Sequence, residues 1–561
     1  AMPRPFRSNL PRGSSHWAVR RAQWAALGIG GEDLEKPKIA IVNSSSDLAI
    51  CFSHLDGVAR EVRAAIREAG GLPFEIRTAA PADFIHSAGR AGRYILPSRD
   101  LIANDIEVQV EGAQLDGMVL LASCDKTLPG QLMAAAQLDI PTIVVVCGYQ
   151  PSGEWNGHEV DIEEVFLAAG HHAAGRLPLE DLAGMADNAI RGPGVCAGMG
   201  TANSMHIVGE ALGMTLPGAA PVLANSPAMF AQARAAGARI VAMVEEDLRP
   251  RRILTAGAFA NAVTALLSVA GSINCIKHLQ AVAAEAGLAL DMRALAERLS
   301  ERVPVLCAIR PIGALPTEAM EQAGGAWTLL SRLRPLLDGT AITVTGRSLG
   351  SVLDSAPEGD ARVIRPLSDP LSKGPGIVML RGSLCPGGGL VKLGLGEGRV
   401  LAFEGRARVF ETVDAALAAL REGRIAAGDV MVLRNLGVRG APGMGMASRV
   451  VFALDGLGLG PQVAVVTDGQ LSGLVNKGIV VGECAPEAAD GGAIGLVREG
   501  DRIRIDIPAR RADLLVSEEI AARRAAPPPA AAAPPPGWLS IYARTAKPLE
   551  AGATLHDPPG T

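Results

Sequence analysis

With 561 residues, the chain is long enough for two large domains. Its composition, 48% apolar with 66 glycines and only 3% aromatic residues, is typical of an α/β enzyme. A net charge of −5 gives no electrostatic reason to expect a nucleic-acid or membrane partner. We see no apolar run of the roughly 18 residues that span a bilayer and no secretion signal, and therefore expect a cytoplasmic protein without disulfides.

Strands and helices alternate over the first 150 residues. The predicted helices cover 17–30, 54–71 and 98–112, and residues 124–138 are predicted to be a loop followed by a helix. The predicted strands cover 38–45, 72–80, 115–123 and 141–148. The strands are almost continuously apolar, which indicates a parallel sheet covered on both faces. Cys51 and Cys124 each follow a strand, and loops at the carboxyl ends of parallel strands commonly carry the binding sites of such sheets.

The pattern changes along the rest of the chain. Residues 160–345 look mostly helical, with 259–287 as a long example. Short strands with glycine turns follow, at 374–382, 398–405, 407–411, 428–435, 462–469 and 501–508. The sequence therefore predicts an α/β fold: an N-terminal parallel-sheet α/β domain over 1–355 and a C-terminal β-rich, barrel-like domain over 365–561. The Pro/Ala-rich stretch 526–537 is predicted to be an extended surface segment.

Three cysteines lie in Gly- or Ser-rich surroundings: Cys51, Cys124 and Cys196. They are far apart in the chain and none belongs to a CxxC pair, which excludes a zinc ribbon or a ferredoxin-type run. Three such thiols could bind one iron–sulfur cluster and leave one iron without a protein ligand. That iron could then act as a Lewis acid.

The string CDKTLPG (124–130) is more specific than a lone Asp–Lys pair, which is usually a solvated feature of a loop. It resembles the dehydratase family of dihydroxy-acid dehydratase, the sugar-acid (aldonate) dehydratases and 6-phosphogluconate dehydratase, most closely the dihydroxy-acid branch. Further matching segments are RYILPSRDLIANDIE (93–107), GPGVCAGMGTANSM (192–205), AGSINCIKHL (270–279), RGSLCPGGGLVK (381–392), VVTDGQLSG (465–473) and APEAADGG (485–492).

The resemblance implies two cofactors. Cys51, Cys124 and Cys196 match the family's ligands to a [2Fe–2S] or, in some members, a [4Fe–4S] cluster. Asp83, Asp125 and a carboxylated lysine match the ligands of an adjacent Mg²⁺. That lysine is Lys126, and carboxylation would turn its amine into the oxygen ligand that a hard cation needs.

Two positions depart from the family pattern. GAPGMGMASR (440–449) has Met446 where the family has a glutamate ligand, and a thioether binds Mg²⁺ poorly. Glu404 or Glu411 could substitute for that ligand. In the other motif Ser472 matches the catalytic base, whereas Gln470 replaces the usual arginine and indicates altered substrate contacts.

The resemblance implies an iron–sulfur hydro-lyase that dehydrates a 2,3-dihydroxy carboxylate to a 2-keto acid. The substrate is either the branched dihydroxy acid of valine and isoleucine synthesis or a sugar acid. The other partners implied are further copies of the chain, as a homodimer or homotetramer. An alternative is a divergent non-catalytic or redox-sensing homologue. A nucleotide-dependent oxidoreductase is a weaker alternative, because the glycine strings after 390 lack a strand–GxGxxG–helix context.

Overall fold

The structure is a computed structural model that describes residues 5–395, 399–476, 478–524, 534 and 536–557. Its α-helices are α1 (Ser15–Ala26), α2 (Leu55–Glu68), α3 (Asp83–His86), α4 (Ile95–Val110), α5 (Thr127–Leu138), α6 (Ile162–Ala173), α7 (Leu179–Asn188), α8 (Thr201–Ala211), α9 (Pro227–Glu245), α10 (Pro250–Ile253), α11 (Ala256–Ser268), α12 (Asn274–Glu285), α13 (Met292–Leu299), α14 (Thr317–Gln322), α15 (Gly325–Leu333), α16 (Leu349–Leu353), α17 (Val413–Arg421), α18 (Ser448–Gly456), α19 (Glu518–Arg524) and α20 (Trp538–Thr545). Its strands are β1 (Lys38–Asn43), β2 (Leu72–Arg77), β3 (Gly117–Ala122), β4 (Thr142–Val146), β5 (Gly153–Trp155), β6 (His158–Val160), β7 (Ile377–Leu380), β8 (Gly388–Lys392), β9 (Ala402–Phe410), β10 (Asp429–Leu433), β11 (Ala464–Thr467), β12 (Val480–Ala485), β13 (Arg502–Asp506) and β14 (Arg511–Leu514).

The first sheet is parallel, with the strand order β2-β1-β3-β4. Every residue of β1, β3 and β4 is buried, as expected of strands covered by helices on both faces. Helices α2 and α9 pack against each other on this sheet. Since β1 and β3 are neighbours and run in the same direction, the loops that carry Cys51 and Cys124 leave the sheet at the same edge.

The second sheet has eight strands in the order β14-β13-β9-β10-β11-β12-β8-β7. Its two edges meet just beyond β7, where the amide of Arg381 donates to the carbonyl of Arg510 and the carbonyl of Arg381 accepts from Ala512, both at 3.0 Å. Alternate residues of β10 face different cores. Val430 and Val432 belong to the interior of this sheet, and the intervening Met431 packs with the core of the first sheet.

The predicted α/β class with a barrel-like second sheet is therefore confirmed. Two details differ. Residues 259–287 form two helices, because α11 ends at Ser268 and α12 begins at Asn274. The predicted strands 398–405 and 407–411 are a single strand, β9, and Gly405 lies inside it. A Cβ on Gly405 would lie 2.4 Å from the carbonyl oxygen of Gly428, so this glycine permits a close backbone approach and makes no turn.

The division at 355–365 stays a prediction. The stretch 526–537 lies largely outside the described residues, and so does part of the first glycine string after 390. Within the described part of the chain, no helix is both long enough and apolar enough to cross a membrane.

Candidate active site

A cleft with an empty volume of about 920 Å³ lies between the first sheet's loops and the loops of the second sheet. Its lining includes most of the predicted site residues: Asp83, Cys124, Asp125, Cys196 and Ser472, together with Met446. The remaining two, Cys51 and Lys126, contact this lining from behind. Segments that are distant in sequence thus contribute side chains to the same cleft.

The three predicted thiols interact with one another. Cys51 and Cys124 are in hydrogen-bonding contact, and this contact, followed by burial, raises the pKa of the Cys51 thiol. Burial and then the charge of Cys124 raise the pKa of Cys196. Three thiolates in such surroundings would repel one another unless a cation lay among them.

Hydrogen bonds hold the loops that carry these thiols. The side-chain amide of Asn203, in the first turn of α8, donates to the backbone carbonyls of Cys196 and Gly198, both at 2.9 Å. The hydroxyl of Ser123 donates to the carbonyl of Cys51 at 2.5 Å. These hydrogen bonds therefore join the loop of Cys51 to the loop that follows β3, and the loop of Cys196 to α8.

Beside the thiols, Lys126 is fully buried between two carboxylates. Its Nζ lies 3.2 Å from Oδ2 of Asp83 and 3.9 Å from Oδ2 of Asp125. Burial acts to lower the pKa of Lys126, but the two carboxylates outweigh burial and the pKa is raised. Burial and the charge of Asp83 raise the pKa of Asp125 to about 7, and Thr201 opposes this shift by a hydrogen bond.

The donor chemistry suits metals, although the described residues include no group of three or more His, Cys, Asp or Glu side chains placed to hold a single metal ion. Oδ1 of Asp83 is buried and has no hydrogen-bond partner among the described atoms, as expected of an oxygen that a cation would satisfy. Thiolates suit iron–sulfur clusters. A cluster contains several irons, so its thiolates do not need to meet at one point.

Ser472, which also lines the cleft, lies in a loop after β11. Its amide donates to Oγ of Ser448 at 2.6 Å, and its own Oγ accepts from the amide of Leu474 at 3.3 Å. The next residue, Gly473, approaches α8 so closely that a Cβ would lie 2.6 Å from the amide nitrogen of Thr201. The buried Lys392 donates to the carbonyl of Gly473 at 2.7 Å. The loop therefore holds Ser472 against the loops of the first sheet.

The structure corrects three expectations about the departures from the family pattern. Gln470 is fully buried and donates to the carbonyl of Met444 at 3.1 Å, so it supports the Met446 loop from below and is not part of the cleft lining. Glu404 is paired with Arg502 and Arg504, and Glu411 is paired with Arg434. Neither glutamate lines the cleft, so neither replaces the missing ligand.

Several lining residues were not predicted from the sequence. Thr201 contacts Asp125, Ser448 holds the amide of Ser472, and Arg449 is exposed at the cleft. Phenylalanines from α3, α6 and α18 also line the cleft, namely Phe84, Phe166 and Phe452. A lone threonine or phenylalanine in a helix carries no distinctive pattern. Ser448 could have been noticed, since it lies two residues after Met446.

Comparison with known proteins covers almost the whole chain. The family model for the N-terminal part of dihydroxy-acid/6-phosphogluconate dehydratases matches residues 36–352, and the model for the C-terminal part matches 362–553. A protein named dihydroxy-acid dehydratase from Syntrophobacter fumaroxidans is 40% identical over 98% of this chain and 99% of its own length. Proteins of the same name from Methanococcoides burtonii and Pyrococcus furiosus are each 39% identical, covering 97% and 98% of this chain and 99% and 100% of their own lengths.

Proposed function

This chain belongs to the dihydroxy-acid/6-phosphogluconate dehydratase family, and on that premise we propose that it converts a 2,3-dihydroxy carboxylate to a 2-keto acid. The predictions of the family and of a hydro-lyase are confirmed. The observation that supports the proposed reaction is the shared cleft, which Ser472 lines together with thiols and carboxylates. Assembly as a homodimer or homotetramer and a cytoplasmic location stay predictions.

Two sets of side chains would hold the cofactors. Cys51, Cys124 and Cys196 would hold the [2Fe–2S] or [4Fe–4S] cluster. Asp83, Asp125 and Lys126, if it is carboxylated, would hold Mg²⁺, with the unpartnered Oδ1 of Asp83 as one oxygen. When bound, these groups supply positive charge that polarises the C3 hydroxyl and stabilises the charge that develops on the substrate.

Ser472 would act as the base that removes the proton from C2. The electrons of the C2–H bond form the C2=C3 double bond, the C3–O bond breaks, and the departing hydroxide takes up the proton that Ser472 removed from C2, so that it leaves as water. The resulting enol gains a proton at C3, loses the proton of its C2 hydroxyl, and becomes the 2-keto acid. A serine hydroxyl is a weak base, so its alkoxide needs stabilisation, and the amide of Leu474 donates to that oxygen.

Substituting Ser472 by alanine tests this role. For Ser472→Ala we expect kcat to fall by about 100-fold or more, since a positioned base contributes that much. Iron and sulfide contents should stay unchanged. Ser351→Ala, in α16 and outside the cleft lining, is the matched control and should keep wild-type turnover. Turnover by Ser472→Ala equal to wild type would remove Ser472 as the base.

A second candidate function is the non-catalytic or redox-sensing homologue, which is favoured by the presence of Met446 in the cleft. Anaerobically purified protein distinguishes the two. An iron–sulfur absorption spectrum with keto-acid formation supports the hydro-lyase, whereas the same spectrum without turnover of any dihydroxy or sugar acid supports the homologue. A colourless, iron-free protein would contradict both.

A further inference from the structure

One wall of the cleft consists of aromatic rings. The ring centroids of Phe84 and Phe166 are 4.8 Å apart, and those of Phe166 and Phe452 are 5.4 Å apart. The chain has only ten phenylalanines, so three of them in one wall is a marked concentration. The apolar side chains of Val413, Met446 and Leu474 extend the apolar part of the lining.

Backbone packing fixes the position of this wall. Helices α6 and α18, which carry Phe166 and Phe452, pack closely because each has a glycine at the contact. A Cβ on Gly170 would lie 2.5 Å from the carbonyl oxygen of Phe452, and a Cβ on Gly456 would lie 2.4 Å from the carbonyl oxygen of Gly170. The backbones that carry Phe166 and Phe452 are therefore held in place before any ligand binds, which lowers the entropic cost of binding.

The cleft is thus polar in one part and apolar in another. The carboxylates of Asp83 and Asp125, the thiols and Ser472 form the polar part, which the proposed function assigns to the cofactors and the dihydroxy-acid head of a substrate. A ligand hydroxyl placed against the phenylalanine rings would lose hydrogen bonds to water that the rings themselves cannot replace. An apolar group in the same place would leave water and pack against the rings. Two methyl groups at C3 would cover only a small part of three successive rings.

We propose that the substrate is a 2,3-dihydroxy acid with a large apolar substituent at C3, such as an aryl ring, and that the phenylalanine wall binds this substituent. This inference rests on the proposed function for the reacting head group. It also decides against a polyhydroxylated sugar acid, since hydroxyls along such a chain would face the wall.

The test compares kcat/KM for three acids: 2,3-dihydroxy-3-phenylpropanoate, 2,3-dihydroxy-3-methylbutanoate and a sugar acid such as gluconate. We expect the phenyl compound to exceed the other two by about tenfold or more, as apolar contacts in a shaped pocket discriminate to this extent. If the methyl compound or the sugar acid is turned over as well as the phenyl compound or better, the wall is not a binding site for a large substituent.

A matched pair of variants tests whether the preference for the phenyl compound depends on the phenylalanine wall. Phe166→Ala should lower the ratio of kcat/KM for the phenyl over the methyl compound by at least fivefold. Phe230→Ala, a half-buried phenylalanine of α9 outside the cleft, should leave that ratio unchanged. Equal ratios for both variants would overturn the assignment.

Binding to wild-type protein separates this inference from the reaction itself. If none of the three acids reacts, the proposed function fails, but the wall can still be tested by calorimetry with 2-hydroxy-3-phenylpropanoate and 2-hydroxypropanoate. We expect at least tenfold tighter binding of the phenyl compound. Equal affinities would overturn the inference whatever the enzyme's activity.

Discussion

The two regions that form the cleft contribute to it in different ways. The first sheet supplies thiols and carboxylates from loops that leave neighbouring parallel strands, and these groups are coupled to one another through Lys126 and Cys124. The second sheet supplies Ser472 and Met446 from loops joined by backbone contacts, with Ser448 and Gln470 hydrogen-bonded to these loops. The first region is thus organised by buried charged groups, and the second mainly by hydrogen bonds to backbone groups.

The largest effect on turnover is expected for a thiol of the first region. Cys124→Ala removes a predicted cluster ligand, and we expect loss of bound iron and a fall in kcat of about 1,000-fold or more. Cys307→Ala is the matched control, because Cys307 is also buried but does not line the cleft. Iron analysis and turnover check both variants. Iron content in Cys124→Ala equal to that of wild type would contradict the assignment of the thiols.

Asp83→Asn weakens the pairing of Lys126, which is fully buried. In metal-free protein we expect the free energy of unfolding to fall by about 1–3 kcal/mol, because a buried ammonium loses one of its two anionic partners. Denaturant unfolding measures this. Asp354→Asn, which breaks the exposed pair with Arg334, should cost less than about 1 kcal/mol. Equal effects of the two substitutions would show that Lys126 does not depend on Asp83.

Met446→Glu introduces a carboxylate into the part of the cleft that the second region supplies. We expect Mg²⁺ to bind about tenfold more tightly, since affinity for hard cations rises with the number of charged oxygen ligands. Calorimetric titration with Mg²⁺ measures the change. Met446→Gln adds an amide without charge and serves as the control. If the two variants bind Mg²⁺ equally, position 446 lies outside the reach of the metal.

The last expected effect is a change in the pH dependence of stability. Burial and the charge of Asp468 raise the pKa of Glu487 to about 8. The folded protein then holds a proton that the unfolded chain releases near pH 4.5, so this group's stabilisation is complete below about pH 4.5 and is lost as the pH rises towards 8.

Glu487→Gln should therefore flatten the decline in unfolding free energy between pH 4.5 and 8, as measured by urea unfolding across that range. Glu422→Gln is the control, because Glu422 is exposed and paired with Arg424. An unchanged slope in Glu487→Gln would show that this carboxyl is ionised in the folded protein at neutral pH.

The fold was largely predictable from the sequence, because burial on both faces makes parallel strands continuously apolar. The strands that precede Cys51 and Cys124 were predicted on that basis, and the structure confirms both. The interpretation of Gly405 as a turn was wrong, since a glycine needed for a turn and one needed for close backbone approach look the same in sequence. The roles of Ser472 and the thiols stay predictions.

The sequence alone determined the family, the α/β class and the types of reactive groups, because short motifs and strand patterns depend on neighbouring residues. Only the tertiary structure decided which groups meet. In the folded chain, Lys126 is buried between Asp83 and Asp125, and Gln470 lies outside the cleft lining. Three phenylalanines from separate helices form one wall. These arrangements arise from packing between segments that are distant in the chain, and no local pattern records such packing.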